Sequence, residues 1–214
     1  MVKIEHIRIA TDDPEAIERA FFSSAPYAVA CNNWAKEYPY APQVSFRMFH
    51  HDNRLFLRYE VAEEYTQALI TQDNGAVWTD SCVEFFIAPD QTGYYNFEIS
   101  CIGQLLLAFR TEKSAPPIYA PATVMDTIVR YPSLGNQPFA EREGNNHWTL
   151  TLIIPASALF QHQIATWHGV QARMNLYKCG DGLSHPHFLS WQPIHTASPD
   201  FHTPPYFADV EFNK

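Results

Sequence analysis

Asp73-Asn74-Gly75-Ala76-Val77-Trp78-Thr79-Asp80-Ser81-Cys82-Val83-Glu84-Phe85-Phe86-Ile87 joins a turn signal, a Trp, two carboxylates and an apolar run without a gap. Asn74-Gly75 supplies the turn, because both residues tolerate positive φ. Cys82 to Ile87, rich in aromatic and β-branched side chains and bounded by Pro89, reads as a strand. Side chains alternate along a strand, so Val83, Phe85 and Ile87 share one face and Cys82, Glu84 and Phe86 the other. Trp78 therefore stands at a strand mouth, and Glu84 shares a face with apolar neighbours.

Downstream, Pro89-Asp90-Gln91-Thr92-Gly93 is a turn before a strand from Tyr94 to Cys101, and Ile102-Gly103 leads into another from Gln104 to Phe109. Three strands on short loops make an antiparallel meander, since no crossover helix is available. Upstream, Val2 to Ala10 has the alternation of a half-buried strand, and Thr11-Asp12-Asp13-Pro14-Glu15 caps a short helix. Tyr27 to Cys31 reads as a strand and the Trp34 to Pro42 segment as a structured loop. Gln43 to Phe49 and Arg54 to Val61 form a hairpin around His50-His51-Asp52-Asn53, and Ala62 to Ile70 reads as a loop or helical turn. Further strands are expected at Thr127 to Tyr131, Pro138 to Arg142, His147 to Ile154, Gly169 to Tyr177 and Phe207 to Phe212. Gly144-Asn145-Asn146 reads as a turn, and Pro155 to Phe160 as one helical turn. The pattern is that of an all-β, antiparallel β-sandwich of immunoglobulin or jelly-roll type with one or two short helices. Residues 1–214 are read as a single domain, a length that such sandwiches commonly fill.

Lys+Arg 14 against Asp+Glu 23 gives a net charge of -9, which argues against nucleic acid or an anionic membrane surface as partner. A neutral ligand fits better, and the 14% aromatic content leaves rings to spare for stacking. No run reaches the roughly 20 apolar residues of a membrane-spanning helix. The N-terminus shows no apolar signal region, so the chain as given carries no export address and is cytoplasmic by default. Cys31, Cys82, Cys101 and Cys179 contain no CxxC pair, which counts against a thiolate zinc site. Cys82 and Cys101, in consecutive expected strands, are candidates for pairing in an oxidising compartment.

Trp78 and Trp191 are the candidate stacking rings, because an aromatic face complements the C–H face of a sugar. Asp80 lies two residues from Trp78, and Ser190 and Gln192 flank Trp191, so groups able to bind ring hydroxyls are close in sequence. A paired acid and base for glycoside hydrolysis is harder to build from Asp80 and Glu84, which on one strand would stand about 13 Å apart. Glu98 reads equally as solvent-facing or as a partly buried acceptor. The ten histidines, including His50-His51 and His185-Pro186-His187, read as surface residues rather than metal ligands, so no metal is assigned. GxSxG, phosphate-loop and HExxH motifs are absent.

Across Asn74 to Ile87, Tyr94-Tyr95-Asn96-Phe97-Glu98-Ile99 and Cys101-Ile102-Gly103, the sequence resembles the carbohydrate-binding module family 9-like domains. Asn175-Leu176-Tyr177-Lys178-Cys179-Gly180-Asp181 and Pro186 to Trp191 extend the similarity, which runs from about Tyr27 to Phe212. The resemblance implies a β-sandwich of the kind attached to xylanases, secreted or periplasmic, that clasps a terminal sugar between two Trp rings. Carried over, Trp78 is the first ring and Glu84 the acidic sugar ligand; Trp191 is the second ring, with Asn175 and Ser190 as polar contacts. Some relatives hold structural calcium, but no Asp-rich calcium loop stands out here, and no cofactor is expected.

The expectation is thus non-catalytic binding of a mono- or oligosaccharide, alongside glycoside hydrolases. The alternatives are a glycoside hydrolase or accessory enzyme using Asp80, Glu84 or Glu98, and a haem-binding sandwich with Met or His as axial ligands.

Overall fold

The computed structural model describes residues 1–10 and 13–214. It is a two-sheet β-sandwich built from β1 (Val2–His6), β2 (Tyr27–Ala28), β3 (Gln43–His51), β4 (Arg54–Ala68), β5 (Cys82–Ala88), β6 (Tyr94–Ser100), β7 (Leu105–Arg110), β8 (Ile118–Tyr119), β9 (Val129–Pro132), β10 (Phe139–Pro155), β11 (Gln171–Cys179), β12 (Phe188–Ser190) and β13 (Ala208–Phe212). Helices α1 (Pro14–Ser23) and α2 (Ala122–Met125) complete it. One sheet runs β8-β7-β6-β5-β11-β13 and the other β3-β4-β10-β9, and β1 belongs to both. Val2, Lys3 and Ile4 pair in parallel with β13, whereas Glu5 and His6 pair in parallel with β3.

Alternation builds the core as expected. Val83, Phe85 and Ile87 of β5 meet Leu55, Leu57 and Tyr59 of β4 between the sheets, each with no exposed surface. Burying such a side chain contributes about 1.5–3 kcal/mol. The other face of the first sheet is also covered. Cys82 and Phe86, with Tyr94 and Tyr177, pack beneath Trp34, Ile194, Phe201 and Phe207 from long connections, forming a second apolar layer. Aromatic richness in these loops is therefore explained mainly by their roofing role. In a third cluster, α1 buries Ala20 and Phe21 against Phe49 and Phe56. Asp13 caps that helix, its carboxylate accepting from Glu15 N at 2.9 Å; Thr11 and Asp12, read as part of the same cap, lie outside the described residues.

Three local expectations are corrected. Ala62 to Ile70 is not a loop or helical turn: β4 continues to Ala68 because β10 offers it partners that far. Pro138 to Arg142 and His147 to Ile154 are parts of one strand, β10, with register shifts on either side of Arg142 and Glu143. At Gly144, φ 147, the chain bulges rather than reverses, a backbone setting that L side chains rarely adopt. The strand expected from Tyr27 to Cys31 is only Tyr27–Ala28, followed by an isolated bridge between Cys31 and Ser190.

Candidate functional site

The loops that roof the first sheet leave a cavity of about 380 Å³ on its outer face. Period-two alternation supplies the floor: Glu84 of β5, Asn96 and Glu98 of β6, and Arg110 of β7 all line it. Glu84 and Glu98 occupy facing positions of the β5–β6 register. Trp78 stands at the rim, on a single helical turn, Val77–Thr79.

That turn is held from both sides. Asp181 N donates to Trp78 O and Gly182 N to Thr79 O, each at 3.1 Å, so the segment after β11 is tied to it. Below, Asp80 is fully buried and its two carboxylate oxygens accept from Leu69 N at 2.9 Å and Ile70 N at 2.8 Å. Asn74, with φ 56, makes the expected turn and its Oδ1 accepts from Leu107 N on β7. The backbone around Trp78 is thereby fixed while its ring stays out. Of the five tryptophans, Trp78 is the most exposed, at 38%; Trp34, Trp148 and Trp167 are buried and Trp191 is half-buried.

The floor is polar and buried. Glu84 Oε1 accepts from the Cys179 thiol at 3.1 Å. Burial, reinforced by Cys179 and Glu98, holds the Glu84 carboxyl well above the usual carboxylate range. Glu98 Oε1 accepts from Asn96 Nδ2 at 2.8 Å. Burial pushes Glu98 up to about 7, against the opposing effects of that hydrogen bond and of Arg110. Buried Asn96 Oδ1 and Arg110 Nε have no hydrogen-bond partner among the described residues. Leaving a buried polar group unpaired costs about 1–3 kcal/mol. At one wall His202 pairs with the Tyr94 hydroxyl at 2.9 Å, and burial lowers its imidazole to about 4, keeping it neutral.

The structure brings together two of the candidates read from sequence, Trp78 and Glu84, and joins Glu98 to them. Asp80, Asn175, Ser190 and Trp191 are not in the cavity wall. Asn175 Oδ1 accepts from Leu176 N and Gln192 N, both at 2.9 Å, and Ser190 Oγ donates to Gln192 O at 2.6 Å. These groups shape the turn after β12. Trp191 meets Phe46 edge-on at 5.5 Å and Tyr27 at 5.9 Å, packing against the inter-sheet core. Trp191, expected as the second ring, thus sits against that core rather than in the wall of this cavity, next to the bridge between Cys31 and Ser190.

Asn96, Arg110, Asp181 and Phe201 were missed. Asn96 carried a usable signal, since alternation along the expected Tyr94 to Cys101 strand puts it with Glu98; Arg110 lies one residue past the strand expected to end at Phe109, and Asp181 and Phe201 lie in connections with no periodic signal. The Cys82–Cys101 pairing is also corrected, because Cys82 points to the outer layer and Cys101 to the core, and all four cysteines are free. Cys82 instead faces Cys179 across β5 and β11. Glu63 and Lys178, buried elsewhere between the sheets, form an ion pair at 2.8 Å.

A roofed β-sandwich with an exposed Trp beside a cavity whose floor is buried and polar has the form of a ligand-binding module. The model of carbohydrate-binding family 9 matches residues 14–212, and the chain belongs to that family. Among solved structures, a Bacteroides uniformis protein, whose assignment as carbohydrate-binding is itself provisional, is 38% identical with a TM-score of 0.93 over 99% of this chain and 98% of that one. A family 9 module from Caldicellulosiruptor kristjanssonii shares the fold in two structures. Its complex with glucose is 10% identical, with a TM-score of 0.58 over 99% of this chain and 95% of that one. Its complex with cellotriose is 9% identical, with a TM-score of 0.57 over 99% and 92%. A search of curated proteins returned no match.

Proposed function

We propose that the chain binds a neutral mono- or oligosaccharide in the cavity beside Trp78, holding the end of a glycan without cleaving it. The observation that carries this is that the exposed Trp78 lines the same cavity as Asn96 and Arg110, whose Oδ1 and Nε are buried without a hydrogen-bond partner among the described residues. A sugar offers an apolar C–H face to the ring and hydroxyls that can donate to the first atom and accept from the second. Glu84 and Glu98 provide further hydroxyl partners, and Phe188 and Tyr119 provide apolar wall. The family 9 match and the glucose and cellotriose complexes of the Caldicellulosiruptor module support a saccharide of the β-glucan kind. In this reading the chain works alongside glycoside hydrolases by keeping a glycan near them.

Hydrolysis is less favoured by the chemistry of the carboxyls. An acid and a base on either side of a glycosidic bond need environments that separate their acidities. Here burial raises both Glu84 and Glu98, and Asp80 is committed to backbone N–H groups.

The test is calorimetric and fluorescence titration with glucose, xylose and their oligosaccharides on wild type, Trp78→Ala and Asn96→Ala. The reading expects saturable binding, weakened at least tenfold in each variant. Binding that survives both substitutions would move the site elsewhere, and silence across the panel would overturn a sugar of this class.

A further inference from the structure

Outside the sugar cavity, four histidines and an aspartate gather where β1, the β3–β4 turn and the segment before β11 meet. The parallel β1–β3 register puts His6 beside His50. His51 ends β3, and Asp52 makes the turn with φ 51. The Asp52 carbonyl accepts from Thr166 Oγ1 at 2.8 Å and from Trp167 N at 3.0 Å, which brings His168 alongside.

The ring nitrogens converge. His6 Nε2 lies 3.4 Å from His51 Nδ1, long for a hydrogen bond between ring nitrogens. Two nitrogens on one tetrahedral zinc, each at about 2.0–2.1 Å, stand about 3.4 Å apart. One ligand atom each from His6, His51 and Asp52 lies within 4.8 Å of the other two. Asp52 Oδ2 lies 3.6 Å from the other ring nitrogen of His51, Nε2, and the Asp52 side chain is 71% exposed, so turning the carboxylate and the His51 ring closes the set. His168 Nε2, 3.3 Å from Asp52 Oδ1, is placed to orient the carboxylate, as groups around a metal ligand commonly do.

His50 packs behind the cluster. It is fully buried and stacks on His6 at 5.3 Å.

We infer that His6, His51 and Asp52 form a binding site for a divalent transition metal of the zinc class, with His168 orienting Asp52. Two imidazoles and one carboxylate suit such an ion, whereas calcium prefers six to eight oxygens. The fourth position is left to water, as the exposed side of the turn permits. Metal there would fasten β1 to the β3–β4 turn and to the segment before β11, so it would act on stability and leave the sugar cavity as it is.

The probe is Zn²⁺ alone, titrated into the untagged full chain in competition with a chromogenic chelator, with Co²⁺ absorption as a second readout. The expected result is one equivalent bound, a visible Co²⁺ spectrum of a four- or five-coordinate site, and a rise in Tm on adding Zn²⁺. His6→Ala and His51→Ala should each weaken binding at least tenfold and abolish the Tm rise, while His147→Ala, at an exposed position on β10, should change neither. Asp52→Asn, on the exposed turn, provides a variant that keeps the fold and should also weaken binding. No stoichiometric binding by wild type, or binding unchanged in His6→Ala, His51→Ala and Asp52→Asn, would overturn the site.

Discussion

Trp78 and Trp191 look alike in sequence and differ in what surrounds them. Trp78 makes its living contacts through its backbone, so Trp78→Ala should remove sugar binding while shifting stability by less than about 1 kcal/mol. Trp191→Ala should do the reverse: its contacts with Tyr27 and Phe46 predict a loss of about 2 kcal/mol in urea denaturation, with sugar affinity changed less than about twofold. Glu98 gives a prediction in pH. Its folded value of about 7 lies above the ordinary 4.5, so between these values the folded chain keeps a proton that the unfolded chain has lost. Stability from this group is therefore fully present below about pH 4.5 and is lost as pH rises through about 7, by roughly 3 kcal/mol in all. Denaturation curves at pH 5 and pH 8 should differ less in Glu98→Gln than in wild type; an equal difference would show that Glu98 is not the titrating group.

The elements around the cavity are held by close backbone approaches. At the β5–β6 turn, a Cβ on Gly93 would sit 2.3 Å from Arg110 O and 2.6 Å from Phe109 Cζ. Gly93→Ala should therefore displace the end of β7 that carries Arg110, costing about 1–3 kcal/mol and weakening sugar binding together. A stability loss with unchanged affinity would show that Arg110 does not contact the ligand. The meander itself was legible, because Val83, Phe85 and Ile87 alternate with Cys82, Glu84 and Phe86 and the turn residues fall between strands. The length of β4 was not, since Glu63, Glu64 and Tyr65 break its local alternation and only the pairing with β10 keeps that stretch extended.

Across the whole molecule, polar bridges join the two sheets inside an otherwise apolar core. The Tyr59 hydroxyl of β4 donates to Glu84 O of β5 at 2.6 Å. Glu63 of β4 pairs with Lys178 of β11 at 2.8 Å, while its other oxygen accepts from Trp148 Nε1 of β10 at 2.8 Å. Lys178 also meets His187 Nε2 at 2.7 Å, where burial and the lysine charge hold the imidazole well below its usual range, so that it stays neutral and accepts. Removing one charge of such a pair strands the other: Lys178→Met should cost about 3–5 kcal/mol in chemical denaturation. Adding Glu63→Gln should recover much of that loss, because the amide keeps an acceptor for Trp148. Failure of the double variant to recover would show that Lys178 acts through packing.

The sequence alone determined the sandwich, the central meander and the capped first helix, and it singled out Trp78 and Glu84, which the structure places in one cavity. These depend on local periodicity, turn chemistry and a motif carried on one continuous stretch. Tertiary structure decided that Trp191, Asn175, Ser190 and Asp80 serve packing and backbone hydrogen bonds, and that Asn96, Glu98 and Arg110 meet Glu84 in one cavity. It also decided the meeting of His6 with His51 and Asp52. The physical reason is common to all three: alternation says which face of a strand a side chain occupies, but which loop covers that face, and which distant strand lies beside it, is settled only when the sheets pair and pack.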